Sequence, residues 1–409
     1  MYLVTIHVPI YVQGERRLVT TEWRRSLELL RDSFEGRFGD IVVLAPSLDV
    51  SDATPEQSLE SLPEDSGIQL IASFPRNCRA RQFWTRYRKQ WIADIREQLP
   101  LAEVVHSGFC DVYKPINFTG HIEAVRAGKA TVFVQDTDQV LQQRELSRHA
   151  PLGDRLRASA YCTIFERSVR HGVAHADLSL LKGRALHARY GRYARNAKDF
   201  EDTSYLSSEI VGDALVEARL ATLDSRRPLR FVYCGRFEKR KGVATSIELV
   251  HRARRAGAQV ELHLIGDGPE HDALQSIGNR LDAGGWLHFL GKRTYGPSLL
   301  EELAQYDALL FTPLAEDTPR MIYDGYAAGL PLIGFDIDYV RRCSERDRAA
   351  VVLPAQDLEQ SANALLALTE KREHLRQLSG AALAAARVHA ADSWYRRRAE
   401  WTFEAVDRH

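Results

Sequence analysis

Two doubly wound α/β domains are the fold predicted for this chain, on three observations. Short apolar runs bounded by turn residues alternate with longer amphipathic stretches through both halves. Those runs are continuous rather than alternating, which marks strands buried on both faces of a parallel sheet covered by helices. At 409 residues the chain is also too long for one core and fits two domains of roughly 200 residues each.

The predicted strands of the first half are Tyr2–Val8, Ile41–Ala45, Ile68–Ala72, Val104–His106, Thr131–Gln135 and Leu178–Lys182. Those of the second half are Leu229–Cys234, Val260–Ile265, Leu287–Leu290, Ala308–Thr312, Leu332–Phe335 and Val351–Leu353. The expected break is the polar segment Leu223–Pro228, which ends in proline. This divides the chain into domains 1–223 and 224–388. The amphipathic tail 389–409, from Ser393-Trp394-Tyr395 onward, is expected to cross back and brace the first domain. Ligands of such sheets bind beyond the carboxyl ends of the strands, so the expected site is a cleft faced by both domains.

Composition narrows the function. Hydrophobic content of 44% with 27% charged residues is that of a soluble globular protein. Net charge is +0, so no global field draws in nucleic acid. The five cysteines are far apart and never spaced as CxxC, as expected of reduced thiols in a cytoplasmic protein. No apolar run approaches the ~20 residues that span a bilayer.

The stretch Glu316 to Pro331, EDTPRMIYDGYAAGLP, is the most informative. It places acids eight residues apart, Glu316 and Asp324, with Pro319 between them and a small-residue helix after it. Proline near a helix start marks an N-terminus, whose free N–H groups suit an anion. An acid just outside that end is better suited to hydroxyls beside the anion. Phosphate plus hydroxyls describes a nucleotide sugar.

Three further segments lie at predicted strand ends. Cys234-Gly235-Arg236-Phe237-Glu238-Lys239-Arg240-Lys241-Gly242 is a basic loop leading into a helix. There Arg236 offers a planar fork and Lys241 a point charge for phosphate, while Lys239 and Arg240 are assigned to solvent. Gly266-Asp267-Gly268-Pro269 would let backbone approach a ligand closely. Phe289-Leu290-Gly291-Lys292 could lie against a nucleobase through its backbone.

In this order, GR-x4-KG, IGDGP, FLG and E-x7-D before AAGLP, the segments resemble the retaining glycosyltransferases of family 4, which have the GT-B fold. The likeness covers Leu229 to Asp338. It implies that Arg236 and Lys241 hold the nucleotide diphosphate, that Glu316 lies by the donor sugar, and that Asp324 binds the ribose. Gly235, Gly266, Gly268, Gly291, Lys292, Pro319 and Arg320 complete the implied donor site. Asp324 stands where glutamate is usual, and Asp317 and Thr318 replace a glycine and an aromatic. A carboxylate at 317 weakens phosphate binding unless Arg320 compensates.

In the first half the family often carries a histidine at a strand end. His106 in Val104–Gly108 is the candidate here, with a structural histidine as the equal alternative; Gln135, Asp136 and Lys182-Gly183 are further candidates. The resemblance implies transfer with retention, without metal or cofactor, from a nucleotide sugar to a glycan or lipid-linked acceptor. Surface polysaccharide or glycolipid assembly is the expected setting. A sugar-nucleotide epimerase of the same fold and a non-catalytic nucleotide-sugar binder are the alternatives.

The segment Arg76 to Arg96 mixes seven basic residues with Phe83, Trp84, Tyr87 and Trp91. On one helix Trp84, Tyr87 and Trp91 share a face, so Arg81, Trp84, Arg88 and Trp91 are candidates for an anionic membrane surface or acceptor. Aromatics in the core with arginines in water is the competing reading. Peripheral association at the inner face of a membrane would follow from the first. The DxD patterns Asp136–Asp138 and Asp336–Asp338, and the pair His171 and His175, are discounted as metal sites. Fourteen histidines spread along the chain predict no metal cluster.

Overall fold

The computed structural model describes residues 1–54, 57–148, 150–224, 227–314 and 320–409. The chain divides into two compact units: Met1–Glu201 together with Trp394–His409, and Asp202–Ser393. Each is an α/β unit around its own sheet.

The first unit holds β1 (Tyr2–Thr5), β2 (Ile10–Gln13), β3 (Arg16–Thr20), β4 (Ile41–Asp49), β5 (Leu59–Ser61), β6 (Ile68–Pro75), β7 (Val104–Gly108), β8 (Ala130–Gln135), β9 (Leu178–Lys182) and β10 (Ala197–Phe200). The parallel strands run β6-β4-β1-β7-β8-β9-β10, so the order reverses between β1 and β7. The predicted strand through Val8 ends at Thr5, because Pro9 cannot donate to a ladder. The chain resumes as an antiparallel hairpin, β2–β3, turning through Gly14. With β5 this hairpin forms a partly exposed extension of the sheet. Those three strands and β10 are absent from the predicted set because none carries an apolar run longer than three residues.

The closing helix Ala391–Asp407 lays Trp394, Ala399 and Ala405 into the core formed by Leu27, Phe34, Phe38 and the β1 and β4 side chains. Its Phe403 ring lies 5.6 Å from that of Phe38. Arg398 stacks over Phe200.

The second unit holds β11 (Leu229–Cys234), β12 (Val260–Ile265), β13 (Leu287–Gly291), β14 (Ala308–Phe311), β15 (Leu332–Phe335) and β16 (Ala350–Leu353). All are parallel, in the order β13-β12-β11-β14-β15-β16. This is the 3-2-1-4-5-6 order of dinucleotide-binding sheets, with its reversal between β11 and β14. Residues 202–224 belong to this unit. Tyr205 is buried and its hydroxyl donates to the Ala386 carbonyl, the Val211 amide donates to Ala327, and Arg219 reaches the Gly329 and Tyr306 carbonyls. The polar segment at Leu223–Pro228 therefore joins two packed elements of one unit. A polar composition does not distinguish a linker from an internal loop.

Candidate active site

In an open parallel sheet a crevice forms where strand order reverses, because the loops leaving the two strands on either side diverge there. In the second unit those loops follow β11 and β14, and they are joined backbone to backbone. The Leu314 amide donates to the Arg240 carbonyl at 3.0 Å, and the Thr312 hydroxyl donates to the Gly242 carbonyl at 2.9 Å. Gly242 sits at φ +68°, and a Cβ there would lie 1.8 Å from the Thr312 carbonyl oxygen. Only glycine fits, on conformation and on space.

The loop after β12 packs as closely. The Gly235 amide donates to Ile265, the Phe237 amide to Asp267, and the Gly266 amide to the Gly291 carbonyl of β13. A Cβ on Gly266 would stand 1.9 Å from the Gly235 carbonyl oxygen. Gly235, Gly266, Gly268 and Gly291 thus lie together at the carboxyl ends of β11, β12 and β13. The glycines of the lone GDG pattern, weak as a motif, are required by this contact between neighbouring turns.

Two cations rise from this frame. The Arg236 side chain is 71% exposed, its Nε 3.4 Å from Glu238 Oε1. Its carbonyl accepts from the Tyr233 hydroxyl, which anchors the turn while the guanidinium stays in solvent. Lys241 closes the single turn Lys239–Lys241, its amide donating to the Glu238 carbonyl. Arg240 bonds Glu238 at 2.9 Å. Lys292 is exposed just beyond β13.

Glu316, Asp317, Thr318 and Pro319 lie outside the described residues. The chain re-enters at Arg320, the N-cap of the helix Met321–Ala327. Arg320 donates to Ser204 Oγ at 3.4 Å and stands 3.6 Å from Asp202. Asp324, in the first turn of that helix, accepts from the Tyr295 hydroxyl at 3.2 Å. Burial pushes its carboxyl up to about 7, against the hydrogen bond from Tyr295 and the charge of Arg320. Met321 Sδ would lie 3.7 Å from a Cβ on Gly235, so this helix start adjoins the end of β11.

The first unit places its candidates differently. His106 is two residues short of the carboxyl end of β7, between Val4 and Val132 in register. Its Nδ1 meets the Tyr2 hydroxyl at 3.1 Å. Burial, then the charge of Arg398, lowers its pKa to about 3. A neutral ring held inside the sheet fits the structural reading of His106. Gln135 is buried and donates to the Thr137 carbonyl, whereas Asp136 is exposed.

The reversal point of this sheet brings up residues that local sequence did not single out. His7 follows β1, and its Nδ1 pairs with Asn117 Nδ2 at 3.3 Å. The amide nitrogen can only donate, so the ring proton resides on Nε2. Burial, then Arg76, lowers the His7 pKa, while Asp136 and Asp111 act in the opposite sense. The Arg76 Nε donates to the His7 carbonyl at 3.0 Å, and Lys114 Nζ donates to the carbonyls of Arg76 and Cys78. Strand-end position was the available signal for His7, but the predicted strand ran past it to Val8.

The basic aromatic segment divides. A π-turn over Phe83–Tyr87 interrupts the helix, so the expected shared face is broken. Trp91 is fully buried and donates to the Ile116 carbonyl, which corrects its assignment as a surface residue. Trp84 is 51% exposed, with Arg88 5.3 Å over its ring, and Arg81 is exposed beside it.

Both DxD patterns are held by arginine. Arg189 grips Asp138 with 2.6 and 2.7 Å contacts, and Arg341 bridges Asp336 and Asp338. Among the described residues His263, His288 and Glu261 come together on β12 and β13, against the expectation that the histidines form no cluster.

Residues 228–371 match the family model described as Glycosyl transferases group 1. Among curated proteins none matches by sequence. Solved structures match over the whole chain. Anabaena HepE in complex with UDP has TM-score 0.65 at 14% identity, covering 99% of both chains. WaaG, a glycosyltransferase involved in lipopolysaccharide biosynthesis, has TM-score 0.62 at 14% identity, covering 98% of this chain and 99% of its own. Sucrose-phosphate synthase from Thermosynechococcus elongatus has TM-score 0.65 at 12% identity, covering 100% of this chain and 98% of its own. The two Rossmann-like units thus have the GT-B fold, and residues 228–371 of the second resemble the group 1 glycosyl transferases.

Proposed function

We propose that this chain is a retaining glycosyltransferase that moves a sugar from a uridine diphosphate sugar to a glycan or lipid-linked acceptor, without a metal at the reacting centre. The observation that carries the reading is the backbone frame at the β11/β14 reversal. It brings Gly235, Arg236, Lys241 and the start of the Asp324 helix to one sheet end. Breaking a glycosyl–phosphate bond builds negative charge on the departing diphosphate. Arg236 and Lys241 meet that charge with a bidentate fork and a point charge, and the glycines let backbone N–H groups approach it. Asp324, ionised when nucleotide binds, accepts from the ribose hydroxyls. Lys292 and Gly291 flank the base, Glu316 the donor sugar, and Pro319 and Arg320 the phosphate side.

The Met1–Glu201 unit takes the acceptor. His7 presents an Nε2–H donor beside Asn117 and Asp136, suited to a sugar or phosphate oxygen. Trp84, with Arg81 and Arg88, supports a peripheral membrane setting at the inner face, with a lipid-linked acceptor in surface glycan or glycolipid assembly.

The test is a panel of nucleotide sugars scored first by thermal shift and then by turnover. UDP release that requires an added acceptor is the expected result. Conversion of the donor sugar with no acceptor present would replace this reading by an epimerase. A thermal shift with neither reaction would leave a nucleotide-sugar-binding protein.

A further inference from the structure

We propose a divalent transition-metal site, of the zinc class, formed by Glu261, His263 and His288 on the β12–β13 edge of the second sheet. Glu261 and His263 are two residues apart on β12, so they share a face. His288 is the register partner of His263 on β13, which brings a third ligand to that face from 25 residues further along the chain. Their ligand atoms all lie within 4.8 Å of one another. Glu261 Oε2 stands 3.4 Å from His263 Nε2 and 3.9 Å from His288 Nε2.

A tetrahedral zinc ion with bonds of about 2.0–2.1 Å spaces its ligands by about 3.4 Å. The first separation already meets that value, the second needs about half an ångström of closure, and the two imidazole nitrogens, within 4.8 Å of each other, converge on one ion only when the stacked rings turn toward it. The rings stack at 4.5 Å with 25° between their planes, and Tyr306 packs 5.0 Å from His263. All three ligands are partly buried, which leaves an open side for water as the fourth ligand. Arg230 pairs with Glu261 in register on β11, yet makes no ion pair with it among the described residues, and its Nε has no hydrogen-bond partner. The Arg230 guanidinium therefore does not occupy the carboxylate. Two imidazoles and one carboxylate favour zinc and its neighbours over calcium or magnesium.

The site lies within the strands, short of the loops at Gly266 and Gly291. A bound ion would clamp β12 to β13 and stiffen the turns that follow, separately from the proposed reaction.

The experiment uses the full-length, untagged chain freed of metal by chelation. Zinc chloride is titrated by calorimetry, melting is followed by circular dichroism, and Co²⁺ is added as a spectroscopic probe. One Zn²⁺ per chain, with dissociation at or below about 10 μM and a melting point raised by roughly 2–4 °C, is the expected result. His288→Gln, at a partly exposed position, and Glu261→Gln should each weaken binding at least tenfold and erase the Co²⁺ visible band, with the metal-free melting point unchanged. His175→Ala serves as the control, because the His171 and His175 rings lie 4.1 Å apart on one helix. Failure of the wild-type chain to bind zinc, unchanged affinity in His288→Gln, or loss of the site in His175→Ala would each overturn the proposal.

Discussion

The two sheets reverse strand order at corresponding places, between β1 and β7 and between β11 and β14, yet they furnish those places by different means. The second unit builds its candidate site from backbone. Glycines let three successive turns touch, and only then are cations added. The first unit builds from side chains drawn from distant positions: His7, Arg76, Asn117 and Asp136. A backbone-built site leaves a local signature, because each close approach demands a glycine at a set distance after a strand. A side-chain-built site leaves none, since any polar residue can be carried to a strand end by the fold.

If that contrast is correct, the second unit should govern turnover. Arg236→Ala and Lys241→Ala should each lower the transfer rate about 10²–10³-fold. Melting of Arg236→Ala should stay within about 1 °C, since an exposed surface substitution costs at most about 0.5 kcal/mol. Full activity in both variants would break the donor assignment.

Gly266→Ala should act by another route. Its Cβ would meet the Gly235 carbonyl, so about 2–4 kcal/mol of stability should be lost in denaturant titration, with nucleotide affinity falling alongside. On the first unit, Trp91→Ala should cost a similar or larger amount, about 3–5 kcal/mol, because it empties a core position.

His7→Ala sharpens the comparison. Loss of one hydrogen-bond donor to a charged or sugar oxygen should slow transfer roughly tenfold to a hundredfold, with UDP affinity unchanged. Loss of UDP binding instead would place His7 on the donor side.

Asp324 gives the second site a pH signature. Its folded-state carboxyl titrates near 7, above the unfolded value of 3.8. A raised carboxyl stabilises the fold while protonated, and that stability is lost as pH rises through about 7. Ribose hydroxyls need the ionised form, so UDP affinity should fall roughly tenfold between pH 7.5 and pH 6. Asp324→Asn should flatten both the stability and the affinity profiles. The smallest effect is expected at Trp84: Trp84→Ala should alter stability by less than about 0.5 kcal/mol while reducing flotation with anionic liposomes. Undiminished flotation would remove the membrane setting.

The parallel strands of both units were legible because burial on both faces writes an unbroken apolar run. Leu229–Cys234, Val260–Ile265, Leu332–Phe335 and Leu178–Lys182 begin and end where the pattern places them. The β2–β3 hairpin was not legible, since its short, partly exposed strands resemble loops in sequence. Trp91 was misjudged because a helical wheel assumes 3.6 residues per turn, and the π-turn at Phe83–Tyr87 rotates everything after it. The histidines of β12 and β13 look scattered along the chain, and only strand pairing makes them neighbours.

What the chain determined by itself was its alternation of strand and helix and the glycine-bearing, basic turns of the second half, because both arise from contacts between residues close in sequence. Tertiary structure alone decided that His106 is held inside a sheet while His7 reaches its end. It also decided that Trp91 is core and that Glu261, His263 and His288 meet. Each of those outcomes depends on register between strands or helices far apart in the chain, and register is set by the packing of whole elements rather than by any one segment.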